Sequence, residues 1–168
     1  MARISRLEKL LYRLEAQHAC LAWAFSEIRE RAGVVFELGL GLGRSFDHLR
    51  RNLPGRDIYV FERKLHSYPD CTPDAAHLIL GELAMTLPEA ALRFGGEVVL
   101  AHSDVGSFEA EHNAEMSELV SRALPPALAP GAIILSDLPL EIAGAELLPL
   151  PKNAREDRYY PYRFAGSG

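Results

Sequence analysis

The chain has 168 residues, a formal net charge of -5, and 24% charged and 48% hydrophobic side chains. This length predicts one domain covering residues 1–168, and the acidic balance without a lysine or arginine cluster argues against nucleic acid as a partner. The two cysteines, Cys20 and Cys71, form no CxxC pattern, which favours a reducing, cytoplasmic location over a disulfide-stabilised protein.

The first 32 residues carry apolar side chains at alternating intervals of three and four, with no continuous apolar core of the signal-peptide kind. They predict one amphipathic helix, ending before Gly33, that packs its apolar face on the rest of the domain. The same spacing is typical of a coiled-coil seam, so contact with a second chain is the alternative. His18 is predicted to pack in the core with its neighbours. The stripe comprises Ile4, Leu7, Leu11, Leu14, His18, Leu21, Phe25 and Ile28.

Strands and helices alternate through the middle of the chain. After the first strand, Ser45 is predicted to cap a helix that ends at Pro54. The alternation predicts an α/β fold with a Rossmann-like, mainly parallel sheet and helices on both faces. The predicted strands cover residues 34–38, 57–63, 77–80, 97–101 and 131–136, and the two later helices cover residues 83–94 and 109–124.

The tail of the chain follows a different pattern. Two strand-like runs, 147–150 and 159–164, are joined by a connection too short for a crossover helix. They predict an antiparallel pair at the end of the sheet. The most apolar stretch, residues 131–151, contains three acidic residues and three prolines. We therefore expect no membrane-spanning segment.

Three alternating glycines, Gly39, Gly41 and Gly43, directly follow the first strand. Glycine permits positive φ and close approach of a ligand to the backbone, and the next helix offers free N–H groups. The dinucleotide fingerprint GxGxxG is incomplete in both frames, because Arg44 and Phe46 stand where its third glycine would fall. The spacing suits a cofactor without a pyrophosphate, whose amino-acid tail lies along the loop. A tight turn without a ligand is the alternative.

An acidic residue closes the second strand. Glu62 follows Gly43 by 19 positions, close to the roughly 20 expected for an acid that binds a ribose diol. Its two oxygens can accept from both adjacent hydroxyls. Arg63, the next residue, keeps a reader of a 2′-phosphate, and so NADP, as an alternative.

Polar groups also follow the later strands. Glu82 and Leu83, after Gly81, are placed to accept from an adenine amino group and to pack on its ring. His102 and Asp104 follow the fourth strand, at the edge of the sheet where ligands bind in such folds.

Two further acids complete this edge. Asp137 follows the fifth strand and is predicted to project toward the same rim as Asp104. Glu37, near the end of the first strand, is a buried carboxylate that needs a partner. A cationic or hydrogen-bond-donating ligand would supply one.

Together these features resemble the class I S-adenosylmethionine-dependent methyltransferases. The resemblance rests on E-L-G-L-G-L-G at 37–43, on Glu62, on Gly81 with Glu82, on Asp104 and on the antiparallel tail. More narrowly, the stretches G-L-G-R-S-F-D-H-L-R, Y-V-F-E-R and Y-Y-P-Y-R resemble a small bacterial family of uncharacterised methyltransferases. The resemblance spans nearly the whole chain and implies S-adenosylmethionine as the cofactor.

The resemblance also implies roles for individual residues. Glu37 and the glycine backbone would hold the amino-acid end of the cofactor, and Glu62 would bind the ribose. Glu82 and Leu83 would border the adenine, and Asp104 would lie near the methionine portion or the reacting methyl. The cofactor site implied in this way comprises Glu37, Leu38, Gly39, Gly41, Gly43, Ser45, Glu62, Arg63, Gly81, Glu82, Leu83 and Asp104.

Methyl transfer from a sulfonium mainly requires alignment of donor and acceptor, so a general base is optional. His102 and Asp104 are the candidate catalytic residues. Metal-dependent catechol-type methyltransferases place acids where Asp104 and Asp137 stand. However, Leu138 replaces their usual Asn and a hard cation needs more oxygen ligands, so we expect no metal site.

The N/D-P-P-Y/F signature of amino-group methylation is absent, with H-S-D-V in its place. Together with the acidic charge, this disfavours DNA methylation, and the acceptor is expected to be a small molecule. A short chain leaves the rim open, so a homo-oligomer, a dimer or larger, is expected to complete the site. Two alternatives remain: a protein that binds S-adenosylmethionine or S-adenosylhomocysteine without catalysis, and an NADP-binding Rossmann-like protein.

Overall fold

The computed structural model describes residues 4–166 as a seven-stranded sheet with helices on both faces. The strand order is β3-β2-β1-β4-β5-β7-β6. The first five strands are parallel, and β7 runs antiparallel to both β5 and β6. The elements are α1 (Arg6–Ile28), β1 (Val34–Leu38), α2 (Arg44–Asn52), β2 (Ile58–Glu62), β3 (Leu78–Leu80), α3 (Leu83–Arg93), β4 (Val98–Ser103), α4 (Ala110–Ala123), β5 (Leu128–Ser136), β6 (Ala145–Leu147) and β7 (Tyr160–Phe164).

The predicted α/β architecture is confirmed, with shifts at three strands. β4 continues two residues past its predicted end, and β5 begins three residues before its predicted start. β6 ends at Leu147 rather than covering 147–150. After one more bond, from Leu148 N to Pro161 O at 2.8 Å, Pro149 has no N–H with which to continue the ladder.

Each face of the sheet is covered by one helix pair. On one face, α1 and α2 pack on the sheet, and on the other face α3 and α4 do so. The small buried side chains Ala16, Cys20 and Ala24 let α1 approach the strands closely. The β1–β4 boundary is where the strand order reverses, so ligands are expected at the carboxyl ends of these two strands.

Helix α1 runs from the amino ends of the strands to their carboxyl ends and extends past them. At its C-terminal end, the Arg56 guanidinium donates to the carbonyls of Ile28, Arg31 and Gly33, beside the start of β1. Near its N-terminal end, Arg13 contacts Asp104, which directly follows β4. The residues before Arg13 therefore add about 10 Å of helix past the carboxyl edge.

The apolar stripe of α1 is only partly buried, so its predicted packing is wrong for the N-terminal half. Leu21 and Ile28 are buried, but His18, predicted to lie in the core, is exposed. The His18 ring lies 5.3 Å from the ring of His48, which is about one turn after the start of α2 at Arg44. The exposed stripe of α1 consists of Leu7, Leu10, Leu11 and Leu14 together with Ile4, which lies just before the helix. Their exposed fractions run from 37% to 75%.

The tyrosines of the tail pack rather than project. Tyr159 and Tyr162 are buried, and the Tyr162 hydroxyl accepts from Leu140 N at 2.8 Å. In the part of the chain that the structure describes, no helix combines the length and the apolar composition needed to cross a membrane.

Candidate cofactor site

The glycine loop after β1 has three residues in the left-handed region, with φ of 89° at Gly39, 54° at Gly41 and 87° at Gly43. A Cβ on Gly39 would lie 2.6 Å from the Asp104 carbonyl oxygen, and one on Gly43 would collide with the Cys71 carbonyl. A Cβ on Gly41 would meet nothing within 4 Å. Packing within the chain therefore explains two of the glycines, whereas the third faces open space that a ligand can enter.

The Glu62 carboxylate lies against this loop. Its Oε2 accepts from the amides of Leu40 at 3.0 Å and Gly41 at 2.9 Å. Its Oε1 accepts from the amides of Arg63 at 2.7 Å and Lys64 at 3.3 Å. The side chain is half-buried, and four bonds to the backbone hold it at the rim. The acid predicted from its spacing is thus adjacent to the open side of Gly41.

The predicted adenine-binding residues directly follow the neighbouring strand, β3. β3 ends just before Gly81, and α3 begins at Leu83, which is half-buried. The Glu82 carboxylate is exposed and lies 3.9 Å from the Arg63 guanidinium. An exposed pair at this distance contributes little to stability. These groups line the rim beside Glu62 and remain open to solvent.

Glu37 is fully buried at the end of β1, and both of its carboxylate oxygens already have partners. His102 Nδ1 lies 2.7 Å from Oε2, and the Ser45 hydroxyl donates to Oε1 at 2.6 Å. The partner expected from a ligand is therefore supplied by the protein. Ser45 does not cap α2 as predicted, because Gly43 is the N-cap and Ser45 lies in the first turn.

His102 lies inside the sheet, not at its rim, because β4 continues to Ser103. Its Nε2 lies 2.7 Å from the Tyr159 hydroxyl, which accepts from Gln17 Nε2 at 2.9 Å. Burial raises the pKa of Glu37. Burial opposes the charged form of His102, but the Glu37 carboxylate raises the pKa of His102. Because both pKa values are raised, the Glu37–His102 pair retains a proton.

Asp104 is the acid that reaches the rim from β4. Its carboxylate contacts the Arg13 guanidinium, and its Oδ2 accepts from Gln17 Nε2 at 3.2 Å. Desolvation by itself would raise the pKa of Asp104, but Arg13 and then His102 hold it below the ordinary value. Asp104 is therefore an ionised carboxylate with a cation from α1 beside it.

Asp137 lies next to Asp104, as the order of β4 and β5 predicts. It accepts from the amides of Gly106 at 2.9 Å and Val105 at 3.3 Å. Desolvation, followed by the charge of Asp104, raises the pKa of Asp137 to about 6. Among the residues that the structure describes, no group of three or more His, Cys, Asp or Glu side chains is arranged to hold a metal ion.

A family model described as S-adenosyl-L-methionine methyltransferase matches residues 4–164. The chain belongs to this family. A solved S-adenosyl-L-methionine methyltransferase from Silicibacter pomeroyi DSS-3 is 42% identical, with a TM-score of 0.92. That match covers 96% of this chain and 99% of the other. The protein is thus a methyltransferase, and its cofactor is S-adenosylmethionine.

More distant structures share the fold alone. The antibiotic-resistance methyltransferase Kmr is 12% identical, with a TM-score of 0.56 over 88% of this chain and 92% of its own. CalS10 from Micromonospora echinaspora, an amino pentose methyltransferase solved with S-adenosylmethionine, is 17% identical, with a TM-score of 0.52 over 89% and 66%. No protein with a curated description matches the chain.

Three residues that contact the predicted site residues Asp104 and His102 were missed by sequence reasoning: Arg13, Gln17 and Tyr159. Arg13 and Gln17 are four positions apart on α1, so they share one face of the helix. Their polar character on the side that buries Ala16 and Cys20 was the available signal. Tyr159 carried no such signal, because its buried hydroxyl acquires partners only when β7 joins the sheet.

Proposed function

We propose that this methyltransferase, acting as a single domain in the cytoplasm, methylates a small-molecule acceptor at the carboxyl edge of its sheet. The observation that carries the proposal is Glu62 bonded to the glycine loop beside the open face of Gly41. The rim is acidic, with Glu82, Asp104 and Asp137 around it. A polyanionic acceptor such as nucleic acid would be repelled by this charge.

The roles of the chain follow from what each group can donate or accept. Glu62 accepts from four backbone amides, so ribose hydroxyls would replace or share some of these bonds at its rim-facing carboxylate. Leu83 offers apolar surface to the adenine next to Glu82. S-adenosylmethionine supplies an electrophilic methyl group on its sulfonium. The protein contributes alignment of the acceptor and exclusion of water.

We assign proton removal to the carboxylates at the rim of the sheet rather than to the buried imidazole of His102. An acceptor that must lose a proton would meet the Asp104–Asp137 pair, and a carboxyl with a pKa of about 6 at Asp137 is suited to take it. His102 has no exposed surface, so we assign it to positioning Tyr159. The direct catalytic role of Asp104 stays a prediction.

Titration calorimetry with S-adenosylmethionine, S-adenosylhomocysteine and NADPH tests the cofactor site. We expect micromolar binding of the first two and none of NADPH. Glu62→Ala should weaken binding by on the order of 100-fold, because it removes two charge-assisted hydrogen bonds. Glu89→Ala, at an exposed position of α3, is the matched control and should bind normally. Preferential binding of NADPH, or undiminished binding by Glu62→Ala, would contradict the proposal.

We also propose that two copies of the methyltransferase associate through the exposed stripe of α1. Apolar patches of a few hundred Å² mark interaction sites, and the spacing of this stripe matches a helix–helix seam. A double variant, Leu7→Glu with Leu11→Glu, should convert a dimer to a monomer in sedimentation velocity. Leu92→Glu, at a leucine of α3 that is 81% exposed, should not. A wild-type protein that sediments as a monomer would refute the pairing.

A further inference from the structure

The methionine portion of S-adenosylmethionine ends in an ammonium and a carboxylate, and this chain must supply partners for both. The following inference rests on the proposed cofactor site. Glu37 is the acid that the resemblance implies for this end of the cofactor. Its side chain has no exposed surface, and His102 and Ser45 already occupy its two oxygens.

The amides of the glycine loop are also largely committed. Gly39 N donates to Phe61 O at 2.9 Å, and Gly43 N donates to Leu40 O at 2.9 Å. The amides of Leu40 and Gly41 donate to Glu62. A carboxylate bound by this loop would have to break bonds that hold the loop in shape. The first-turn amides of α2 are the backbone donors that remain near it.

Arg13 and Asp104 form a charged pair at the same edge, and both reach solvent. Their side chains are 35% and 21% exposed. Asp104 directly follows β4 at the point where the strand order reverses, and its carbonyl packs against Gly39. The pair therefore lies at the start of the glycine loop, on the side of α1.

Each member of the pair has hydrogen-bonding capacity left over. A guanidinium has five N–H donors and a carboxylate has about four acceptor positions. The Asp104 carboxylate accepts from Arg13 with one oxygen and from Gln17 with the other, so acceptor positions remain on both oxygens. A ligand ammonium can therefore bind the Asp104 carboxylate, and a ligand carboxylate can bind the Arg13 guanidinium, without separating the two side chains.

We propose that Arg13 and Asp104 together bind the amino-acid end of S-adenosylmethionine, Arg13 donating to its carboxylate and Asp104 accepting from its ammonium. The oppositely charged groups of the protein match the oppositely charged groups of the ligand. Helix α1 is then part of the cofactor site rather than only a cover for the sheet. Glu37 acts indirectly, since the chain of contacts through His102, Tyr159 and Gln17 orients the Asp104 carboxylate.

Truncated ligands test each half of this assignment. Dissociation constants are measured by calorimetry for S-adenosylmethionine, for its decarboxylated form, and for 5′-methylthioadenosine, which lacks the whole amino-acid end. Arg13→Gln should weaken S-adenosylmethionine by on the order of 10- to 100-fold, and leave the other two ligands unchanged. Asp104→Asn should weaken both ligands that carry the ammonium by a similar factor, and leave 5′-methylthioadenosine unchanged.

Arg6→Gln is the matched control, because Arg6 is exposed and lies about two turns before Arg13 on the same helix. It should bind all three ligands as the wild type does. Equal weakening of all three ligands by Arg13→Gln would show a merely structural role and overturn the inference. Unchanged affinity in both variants would assign the tail to the first turn of α2 and overturn it too. If the wild type binds no adenosyl compound, the proposed cofactor site itself is wrong and this inference falls with it.

Discussion

Two glutamates at the ends of adjacent parallel strands have opposite environments. Glu37, at the end of β1, is fully buried and its oxygens bind His102 and Ser45. Glu62, at the end of β2, is half-buried and binds only backbone amides at the rim. The sequence assigned both to the cofactor. The two acids therefore differ in access to solvent, and we expect only Glu62 to contact a ligand directly.

The cause of this difference lies in the neighbouring strands. β1 is flanked by β2 and β4, so its last side chains are enclosed by His102 and the helix face above. β2 is flanked on its outer side by the three-residue strand β3. β3 pairs with β2 up to Glu62, which lies opposite Leu80. Leu80 is itself exposed, so Glu62 remains accessible at the rim.

The largest expected effect comes from breaking the buried pair. Glu37→Ala should lower the free energy of unfolding by about 3–5 kcal/mol, because it leaves His102 buried without its counter-charge. Glu62→Ala should lower it by only about 1 kcal/mol, because water replaces the lost partners. Urea unfolding of both variants gives the comparison directly. Similar losses in the two variants would show that their environments do not differ in this way.

Replacing each glutamate by glutamine, which has the same shape, compares the two positions in cofactor binding. Glu37→Gln retains an acceptor for the His102 ring, so a folded sample should be obtained at low temperature. We expect it to bind S-adenosylmethionine nearly as the wild type does, whereas Glu62→Gln should bind it poorly. Calorimetry on the two variants decides the point. Strong loss of binding in folded Glu37→Gln would restore Glu37 to the cofactor site.

The smallest expected effect on stability concerns Asp137, a half-buried acid at the carboxyl edge of the sheet. Its pKa is about 6 in the folded protein against an ordinary value of 3.8. The folded state thus holds this proton more tightly, so the stability it contributes is present below pH 4 and is lost as pH rises through 6. The Asp137→Asn variant does not lose stability in this way, because an asparagine side chain does not titrate. Its stability relative to wild type should rise by about 1–2 kcal/mol between pH 4 and pH 7, after allowance for solvent screening.

Urea unfolding of Asp137→Asn and wild type at several pH values measures this difference. Glu146→Gln, at an exposed position of β6, serves as the control and should show no such change. A difference between Asp137→Asn and wild type that stays constant across the range would show that Asp137 has the same pKa in the folded and unfolded states.

The sequence by itself determined the alternation of strands and helices, the position of the glycine loop and the position of Glu62. These features depend on short-range patterns: β-branched runs, glycine with positive φ, and a spacing within one β-α-β unit. The shifts at β4, β5 and β6 arose because strand ends depend on which neighbour continues the ladder. Even so, each predicted strand end lay within three residues of the observed one.

Only the tertiary structure decided which polar groups meet. His102 and Glu37 are 65 residues apart in the chain, and Arg13 and Asp104 are 91 residues apart. No local pattern specifies these pairs, because they depend on how far α1 slides along the sheet and which of its faces turns inward. The small side chains of Ala16, Cys20 and Ala24 set that rotation by packing closely on the strands. This rotation placed Arg13 beside Asp104 at the carboxyl edge of the sheet and left the leucines of the exposed stripe in solvent.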